Sequence, residues 1–256
     1  MSPSYFDHKS AAKRYRDARP YFHPVVISRI KAFLGIDRPV GTALDVACGT
    51  GQSSIALREV ATIIVAIDRS PEMIALAELD EKIIYHVASA DDIPIDGDCV
   101  DLITAACAFH WFDRPPFLAE ARRVLRQSSP MVIYNNTFTG NMKENPKFHD
   151  WIHGTHLKRY PSPPRNMTQF TEEEAQEEGF LLLGSEKYEN DVTFTSSHLI
   201  EYLLSQTNVI AAVEEGKESL KSVSAWLDSE VPAYFPLKEA TFEFRGPIDY
   251  YRKAQD

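Results

Sequence analysis

The stretch from Thr42 to Asp68, TALDVACGTGQSSIALREVATIIVAID, limits the possible folds of this chain more than any other feature. An apolar run, a glycine-containing turn, a short helical pattern and a second apolar run predict strand, turn, helix and strand. Asp45 stands at the end of the first predicted strand and Asp68 at the end of the second. Open α/β sheets bind ligands beyond the carboxyl ends of their parallel strands. We therefore expect a nucleoside-like ligand at this edge.

Asp45, the first of the two acids, distinguishes between the candidate nucleoside ligands. A dinucleotide site places its pyrophosphate on the helix N-terminus, beside a turn that carries no negative charge. Here Asp45 opens the turn, and Ser54 replaces the third glycine of G-x-G-x-x-G. A carboxylate close to a diphosphate is strongly repulsive in a partly dry site. This disfavours a nicotinamide-dependent oxidoreductase, which stays as a rival interpretation.

S-adenosylmethionine suits the same turn better, because it has no phosphate and carries a cationic sulfonium. Asp45 is expected near the positive methionine tail, directly or through water. Gly49 and Gly51 allow the backbone to approach the ligand closely, since neither has a Cβ. Asp68 is expected to accept hydrogen bonds from both ribose hydroxyls.

D-V-A-C-G-T-G followed by A-I-D-R-S-P-E-M resembles the first two motifs of the class I, seven-strand S-adenosylmethionine-dependent methyltransferases. The chain is similar to their small-molecule branch, which includes trans-aconitate methyltransferases. The resemblance implies an α/β fold with a Rossmann-like, doubly wound, mostly parallel seven-stranded sheet and a helical substrate cap. It also implies S-adenosyl-L-methionine as cofactor and S-adenosyl-L-homocysteine as product. The cofactor-binding residues expected on this basis are Tyr15, Arg19, Asp45, Ala47, Cys48, Gly49, Gly51, Asp68, Arg69, Met73, Ser89, Ala90, Asp91, Ala108 and Phe109.

Length and composition set the broader limits. The chain has 256 residues, of which 44% are hydrophobic and 25% charged, as in ordinary globular domains. A net charge of −10 argues against a broad basic surface for nucleic acid. Apolar runs stay below the roughly 20 residues of a membrane span, and the polar N-terminus does not resemble a secretory signal. Cys48, Cys99 and Cys107 show no pairing or metal spacing. We expect a cytoplasmic monomer or homodimer that binds neither nucleic acid nor membrane.

Short apolar runs alternate with helical patterns, which is typical of a parallel sheet. The predicted strands are Thr42–Ala47, Thr62–Ile67, Lys82–Val87, Val100–Ala106, Met131–Asn135 and a terminal Ala240–Arg245. The predicted helices are Gly51–Val60, Pro71–Leu79, Pro115–Arg126 and a long stretch from Ser196 to about Trp226. We expect a single domain with an N-terminal lid at about 1–36, a core at about 40–137, and cap insertions at about 138–180 and 196–235.

Two regions outside the glycine turn are expected to contact the cofactor. The resemblance places the adenine amine against Ser89, Ala90 and Asp91, and Met73 against the adenine face, although Met73 is equally well explained as core. The arm before the first strand carries Arg19-Pro20-Tyr21-Phe22-His23-Pro24, which is similar to the RPxYP pattern of the small-molecule branch. It implies a lid in which Arg19 binds the methionine carboxylate and Tyr15 borders the reaction chamber. The alternative is a packing helix with a solvated Arg19.

The fourth predicted strand runs into Ala108-Phe109-His110-Trp111, which again resembles the trans-aconitate-type branch. Three roles stay open: cation–π stabilisation of the sulfonium, proton removal by His110, or a wall in which His110 and Trp111 anchor the loop. Methyl transfer is an in-line displacement that depends mainly on alignment, and a carboxylate acceptor is already ionised. His110 is therefore a candidate catalytic residue without being required. The candidates for lining the substrate pocket are Phe6, His110, Trp111 and His153.

The expected cap carries Lys143, Lys147, Lys158, Arg159 and Arg165, which within this segment are opposed only by Glu144 and Asp150. This local positive charge indicates an anionic substrate, with a solvated helix face as the alternative. His149, His153 and His156 form one helical stripe, yet H-E-x-x-H is absent and methyl transfer needs no metal, so no metal site is expected. The expected function is O-methylation of a small carboxylic acid. N-methylation, hydroxyl O-methylation and a non-catalytic cofactor-binding regulator remain alternatives.

Overall fold

The computed structural model describes residues 5–255, which divide into two compact units. The first, named here the sheet unit, comprises residues 21–136, 165–188 and 246–255. The second, named the aromatic unit, comprises residues 5–20, 137–164 and 189–245. Two long strands contribute residues to both units.

The sheet unit contains the predicted α/β architecture. Its strands are β1 (Val40–Val46), β2 (Ala61–Asp68), β3 (Ile83–Val87), β4 (Leu102–Ala106), β5 (Pro130–Tyr134) and parts of β7 (Phe180–Thr195) and β8 (Glu239–Lys253). Its helices are α2 (His23–Leu34), α3 (Gln52–Leu57), α4 (Pro71–Ile74), α5 (Arg114–Val124) and α8 (Glu172–Glu177), with a 3₁₀ turn at Phe109–Trp111. Residues 23–34, assigned to the lid by the sequence, form α2 in this unit.

The strand order is β3-β2-β1-β4-β5-β8, and β7 pairs with β8. The first five strands are mutually parallel, and β5 pairs antiparallel with β8 from Pro130↔Arg252 to Tyr134↔Ile248. This confirms the Rossmann-like, mostly parallel sheet with seven strands in the sheet unit. The terminal strand extends well past the predicted Arg245, because the apolar alternation continues through Ile248, Tyr250 and Tyr251.

Helices cover both faces of the sheet, as in a doubly wound fold. One face buries Ala43, Ile64 and Leu102 against Ile27 and Ile30 of α2. The other face buries Leu44, Val65 and Ile103, with Phe117 and Leu118 of α5. Because successive strand residues point to opposite faces, an almost uninterrupted apolar run is what such a strand requires. This arrangement fixes the carboxyl ends of β1, β2 and β4 along one edge.

The aromatic unit is mainly helical. It contains α1 (Lys9–Ala18), β6 (Thr137–Met142), α6 (Lys147–Trp151), a π-helical segment (Ile152–His156), α7 (Leu157–Arg159), α9 (Ser196–Leu204), α10 (Thr207–Glu214), α11 (Leu220–Glu230) and a 3₁₀ turn (Val231–Tyr234). β6 pairs antiparallel with residues 242–245 of β8. Its core contains a cluster of rings that includes Phe148, Trp151, Tyr202, Phe242 and Phe244.

The long helix predicted from Ser196 to Trp226 is three helices instead. A new N-cap accounts for the last break, since the Ser219 hydroxyl accepts from the Ser222 N–H. Gly216, at φ +71°, ends the middle helix in the left-handed region that favours glycine. No helix within residues 5–255 combines the length and the apolar character that crossing a bilayer requires.

Candidate functional site at the carboxyl edge of the sheet

The turn after β1 has a backbone that alternates into the left-handed region. Ala47, Gly49 and Gly51 have φ of 57°, 57° and 82°. For Ala47 this conformation costs roughly 1–2 kcal/mol, a strain typical of functional sites. The Cys48 N–H donates to the Ile67 carbonyl at 2.9 Å, which fixes the turn beside the end of β2. Burial raises the pKa of the Cys48 thiol well above its usual value, so this cysteine stays neutral and unreactive.

Asp68 ends β2 with both carboxylate oxygens held. The Gly49 N–H donates to Oδ2 at 2.8 Å, and the Ser70 N–H donates to Oδ1 at 2.9 Å. The residue keeps 9% of its surface exposed. Its backbone carbonyl accepts from the Ala88 N–H at 3.0 Å, which joins the loop after β3 to the same edge. A carboxylate whose two oxygens are fixed in this way has the geometry to bind a vicinal diol.

Asp45 is fully enclosed rather than open to the edge. Its carboxylate accepts hydroxyl hydrogens from Ser53 at 2.5 Å, Ser54 at 2.7 Å and Thr104 at 3.1 Å. Burial raises its pKa to about 6, and the three hydroxyl donors oppose that rise. Asp45 therefore fastens β1 to α3 and β4. With no exposed surface, it acts on a ligand only through the groups that enclose it.

Two residues of this edge were missed by the sequence analysis. The Thr50 hydroxyl is buried within the glycine turn and has no hydrogen-bond partner among residues 5–255. The Tyr85 hydroxyl lies 2.3 Å from the position that a Cβ on Gly51 would occupy. At Gly51 the obstacle to a side chain is thus Tyr85. The motif letters contained Thr50, but no pattern in the chain relates Tyr85 to Gly51.

The remaining residues predicted around the adenosine lie along the same edge. Met73 is buried in α4, after Ser70, whose hydroxyl accepts from the Met73 N–H at 3.2 Å. Arg69, Ser89 and Asp91 are exposed, and Ala90 is half-buried. Burial of Met73 fits either an adenine wall or core packing, so its role stays a prediction.

His110 and Trp111 form the 3₁₀ turn that follows β4, with Ala108 and Phe109 buried beside them. The His110 and Trp111 ring centroids are 5.0 Å apart. Burial, together with the nearby charge of Arg165, lowers the pKa of His110 to about 4. The imidazole is therefore neutral at pH 7. The pairing of β1 with β4 places this turn beside the glycine turn.

Phe6, Tyr15, Arg19 and His153 lie in the aromatic unit. Phe6 and Tyr15 meet edge to face at 5.3 Å, and the Arg19 guanidinium lies over the rings of Tyr15 and Tyr202. Arg19 also donates to the Ser205 carbonyl at 2.9 Å. The His153 Nε2 atom is 3.1 Å from the Thr139 carbonyl oxygen. The predicted roles of these four residues toward ligands stay predictions.

The histidine stripe does not converge. His149 and His153 have ring centroids 4.3 Å apart, whereas His156 is buried against Trp151 in the π-helical segment. The π turn changes the helical period, so the i, i+4, i+7 spacing no longer places three rings together. Within residues 5–255, no cluster of three or more His, Cys, Asp or Glu side chains has the geometry of a metal site.

Comparison with known proteins agrees with this geometry. Residues 44–133 match the family described as a methyltransferase domain. A Dictyostelium discoideum protein named as a methyltransferase is 31% identical over 136 residues, which are 52% of this chain and 51% of that protein. An uncharacterized methyltransferase of Mycobacterium tuberculosis is 31% identical over 129 residues, which are 50% of this chain and 51% of that protein. The chain spans about half the length of these curated relatives.

Among solved structures, one described as a type II methyltransferase from Anaeromyxobacter dehalogenans superposes with a TM-score of 0.68 at 23% identity. The match covers 90% of this chain and 97% of that one, and it shows a shared fold. Residues 44–133, which contain the glycine turn and the two acids of the sheet edge, thus match a methyltransferase domain.

Proposed function

We propose that this chain transfers the methyl group of S-adenosylmethionine to a small-molecule acceptor, and that the accepting atom is a carboxylate oxygen. The carrying observation is Asp68, whose carboxylate is fixed by the Gly49 and Ser70 N–H groups at the end of β2. The match of residues 44–133 to a methyltransferase domain supports the activity. The His110-Trp111 pair and the segment that begins Arg19-Pro20 support the small-molecule branch similar to trans-aconitate methyltransferases.

The residues of the sheet edge fit this cofactor. Asp68 offers one carboxylate oxygen to each ribose hydroxyl, because the Gly49 and Ser70 N–H groups hold the two oxygens in fixed positions. The Thr50 hydroxyl offers a buried donor without a partner in the described chain. A diphosphate would lie near two buried carboxylates, Asp45 and Asp68, which disfavours a dinucleotide.

The proposed reaction needs alignment more than proton transfer. The cofactor supplies a sulfonium-bound methyl group; the new C–O bond forms as the C–S bond breaks, and that electron pair goes to sulfur. No proton moves when the acceptor is a carboxylate, because it is ionised at neutral pH. The protein holds the acceptor in line with the methyl group and excludes water.

The low pKa of His110 favours this acceptor over a phenol or an amine. A base whose conjugate acid has a pKa of about 4 is mismatched to a phenol of pKa about 10. Complete proton transfer across that gap is uphill by roughly 8 kcal/mol. His110 is therefore proposed to shape the acceptor pocket together with Trp111, as a neutral hydrogen-bonding group.

Calorimetric titration with S-adenosylhomocysteine tests the proposal. The wild-type protein should bind it, and Asp68→Ala should weaken binding by about a hundredfold, because a charge-assisted pair of hydrogen bonds is lost. Asp96→Ala, which removes an exposed acid of the sheet unit, is the matched control and should bind normally. No binding by the wild type, or tighter binding of NADH, would overturn the proposal. Tight binding without turnover on any acceptor would favour the regulator alternative.

A further inference from the structure

The segment 165–170 is fastened to the turn after β4. The Asn166 N–H donates to the His110 carbonyl at 3.0 Å, and the Arg114 guanidinium donates to the Thr168 carbonyl. Phe170 packs on Phe109, with ring centroids 5.1 Å apart. These attachments lie along one short stretch, so the segment follows the His110 turn closely. We name residues 165–170 the anchored strap.

Arg114 strengthens the attachment. Its guanidinium is buried, pairs with Glu174 at 3.0 Å, and lies over the rings of Phe109 and Phe170. A buried, paired guanidinium between two rings fixes the position of everything that contacts it. The later part of the anchored strap, at Thr168 and Phe170, is therefore held beside Phe109, the residue before His110.

Arg165 begins the strap and differs from Arg114, the other arginine in these contacts, in having no ion pair among residues 5–255. Its guanidinium carbon lies 5.9 Å from the centre of the Trp111 ring, and its charge contributes to the lowered pKa of His110. Arg114 is neutralised by Glu174. In the aromatic unit, Lys143 and Arg159 pair with Asp191 and Glu218, whereas Lys147 and Lys158 have no ion pair within the described residues. Across residues 5–255, no carboxylate lies within ion-pair distance of the exposed Arg165 side chain.

We propose that Arg165 binds an anionic group of the methyl acceptor and thereby selects charged over neutral acceptors. This inference rests on the proposed function. A guanidinium presents a planar fork of donors that matches a carboxylate. Arg165 lies beside the turn that follows β4, on the side where open α/β sheets bind ligands. The Trp111 ring lies against one face of the Arg165 guanidinium. The hydrogen bond from the Asn166 N–H to the His110 carbonyl holds the backbone next to Arg165.

The test measures acceptor binding separately from cofactor binding. The protein is saturated with S-adenosylhomocysteine and titrated with benzoate, succinate and trans-aconitate, each beside its neutral amide. Arg165→Gln should weaken binding of the preferred acid by about tenfold or more, and Arg165→Lys by less, because the charge remains while the fork is lost. Arg38→Gln, which removes an exposed arginine elsewhere in the sheet unit, should change nothing.

The measured affinities distinguish failure of this inference from failure of the proposed function. An unchanged affinity for S-adenosylhomocysteine in Arg165→Gln, with selective loss of the acid over its amide, supports the inference. Equal loss of acid and amide, no loss of the acid, or failure of every acid to bind the cofactor-loaded wild type would overturn it. Failure of the wild type to bind S-adenosylhomocysteine would instead contradict the proposed function.

Discussion

The sheet edge and the ring cluster of the aromatic unit both bury ionisable groups, but the two regions differ in the hydrogen bonds that these groups make. At the sheet edge, Asp45 accepts three hydroxyl hydrogens and Asp68 accepts two backbone N–H groups. In the aromatic unit, His156 has no exposed surface, and neither of its ring nitrogens has a hydrogen-bond partner among the described residues. Its neighbours are the rings of Trp151, Tyr160 and Trp226.

The two regions are therefore stabilised by different interactions. The edge depends on directional hydrogen bonds, so its geometry should fail when a single acceptor is removed. The cluster depends on apolar packing around an imidazole that must remain neutral, and burial lowers the pKa of His156 to about 4. The edge should therefore be sensitive to substitution and the cluster to acid.

Asp45→Ala should give the largest effect. It leaves the hydroxyls of Ser53, Ser54 and Thr104 without their buried acceptor, which should lower the free energy of unfolding by about 2–4 kcal/mol at pH 7. Urea denaturation measures this change, and Asp96→Ala is the exposed control. A loss no larger than that of the control would mean that the hydroxyls find other partners.

His156→Phe should make the aromatic unit less sensitive to acid. The folded-state pKa of His156 is lowered below its unfolded value, so its neutral form stabilises the fold fully above about pH 6.5. That contribution is lost as pH falls toward about 4, which amounts to roughly 2 kcal/mol by pH 5. The variant should therefore gain stability over the wild type as pH falls from 6.5 to 5.

Denaturation of both proteins at pH 7, 6 and 5 tests this expectation. Comparing them at each pH cancels the contribution of Asp45, whose raised pKa of about 6 makes stability rise as pH falls through the same range. A constant difference between the two proteins across the three pH values would contradict a neutral, buried His156.

Gly51→Ala should separate a steric clash from backbone strain. Both Gly51 and Gly35 have positive φ, but only Gly51 faces an obstacle, the Tyr85 hydroxyl, whereas a Cβ on Gly35 meets nothing within 4 Å. Gly51→Ala should cost about 1 kcal/mol more than Gly35→Ala in free energy of unfolding. The double variant Gly51→Ala with Tyr85→Phe should recover part of the difference. Equal costs would show that the ring moves aside freely.

His110→Gln should have the smallest effect. If the acceptor is a carboxylate, kcat should change by less than about threefold, because no proton is transferred. Initial rates with labelled methyl donor on the preferred acid measure it, and S-adenosylhomocysteine affinity serves as the control. Loss of most turnover with cofactor affinity intact would favour a general base and a different acceptor.

The geometry of the sheet edge was predictable because its signals are local. The apolar runs, Gly49, Gly51, Asp45 and Asp68 occur within one βαβ unit, where spacing along the chain sets position in space. The enclosed position of Asp45 was harder to predict from the sequence. Its enclosure depends on Thr104, which lies on β4 and reaches Asp45 only through the pairing of β1 with β4.

The charge of the segment from Lys143 to Arg165 could not be judged from local sequence. Within the segment, only two acids oppose five bases, yet Lys143 pairs with Asp191 and Arg159 with Glu218. Those partners come from distant parts of the chain that no local count includes. Arg165 belongs to the sheet unit, whereas the other four bases belong to the aromatic unit.

The sheet, its glycine turn and the two acids that end its first strands could therefore be predicted from local sequence, because hydrophobic period and backbone freedom are properties of neighbouring residues. The folded structure was needed to show which charges are neutralised, that His156 is buried with no hydrogen-bond partner among residues 5–255, and that Arg165 lies beside Trp111. Those outcomes depend on contacts between residues far apart in the chain, and only the folded chain brings them within a few ångströms.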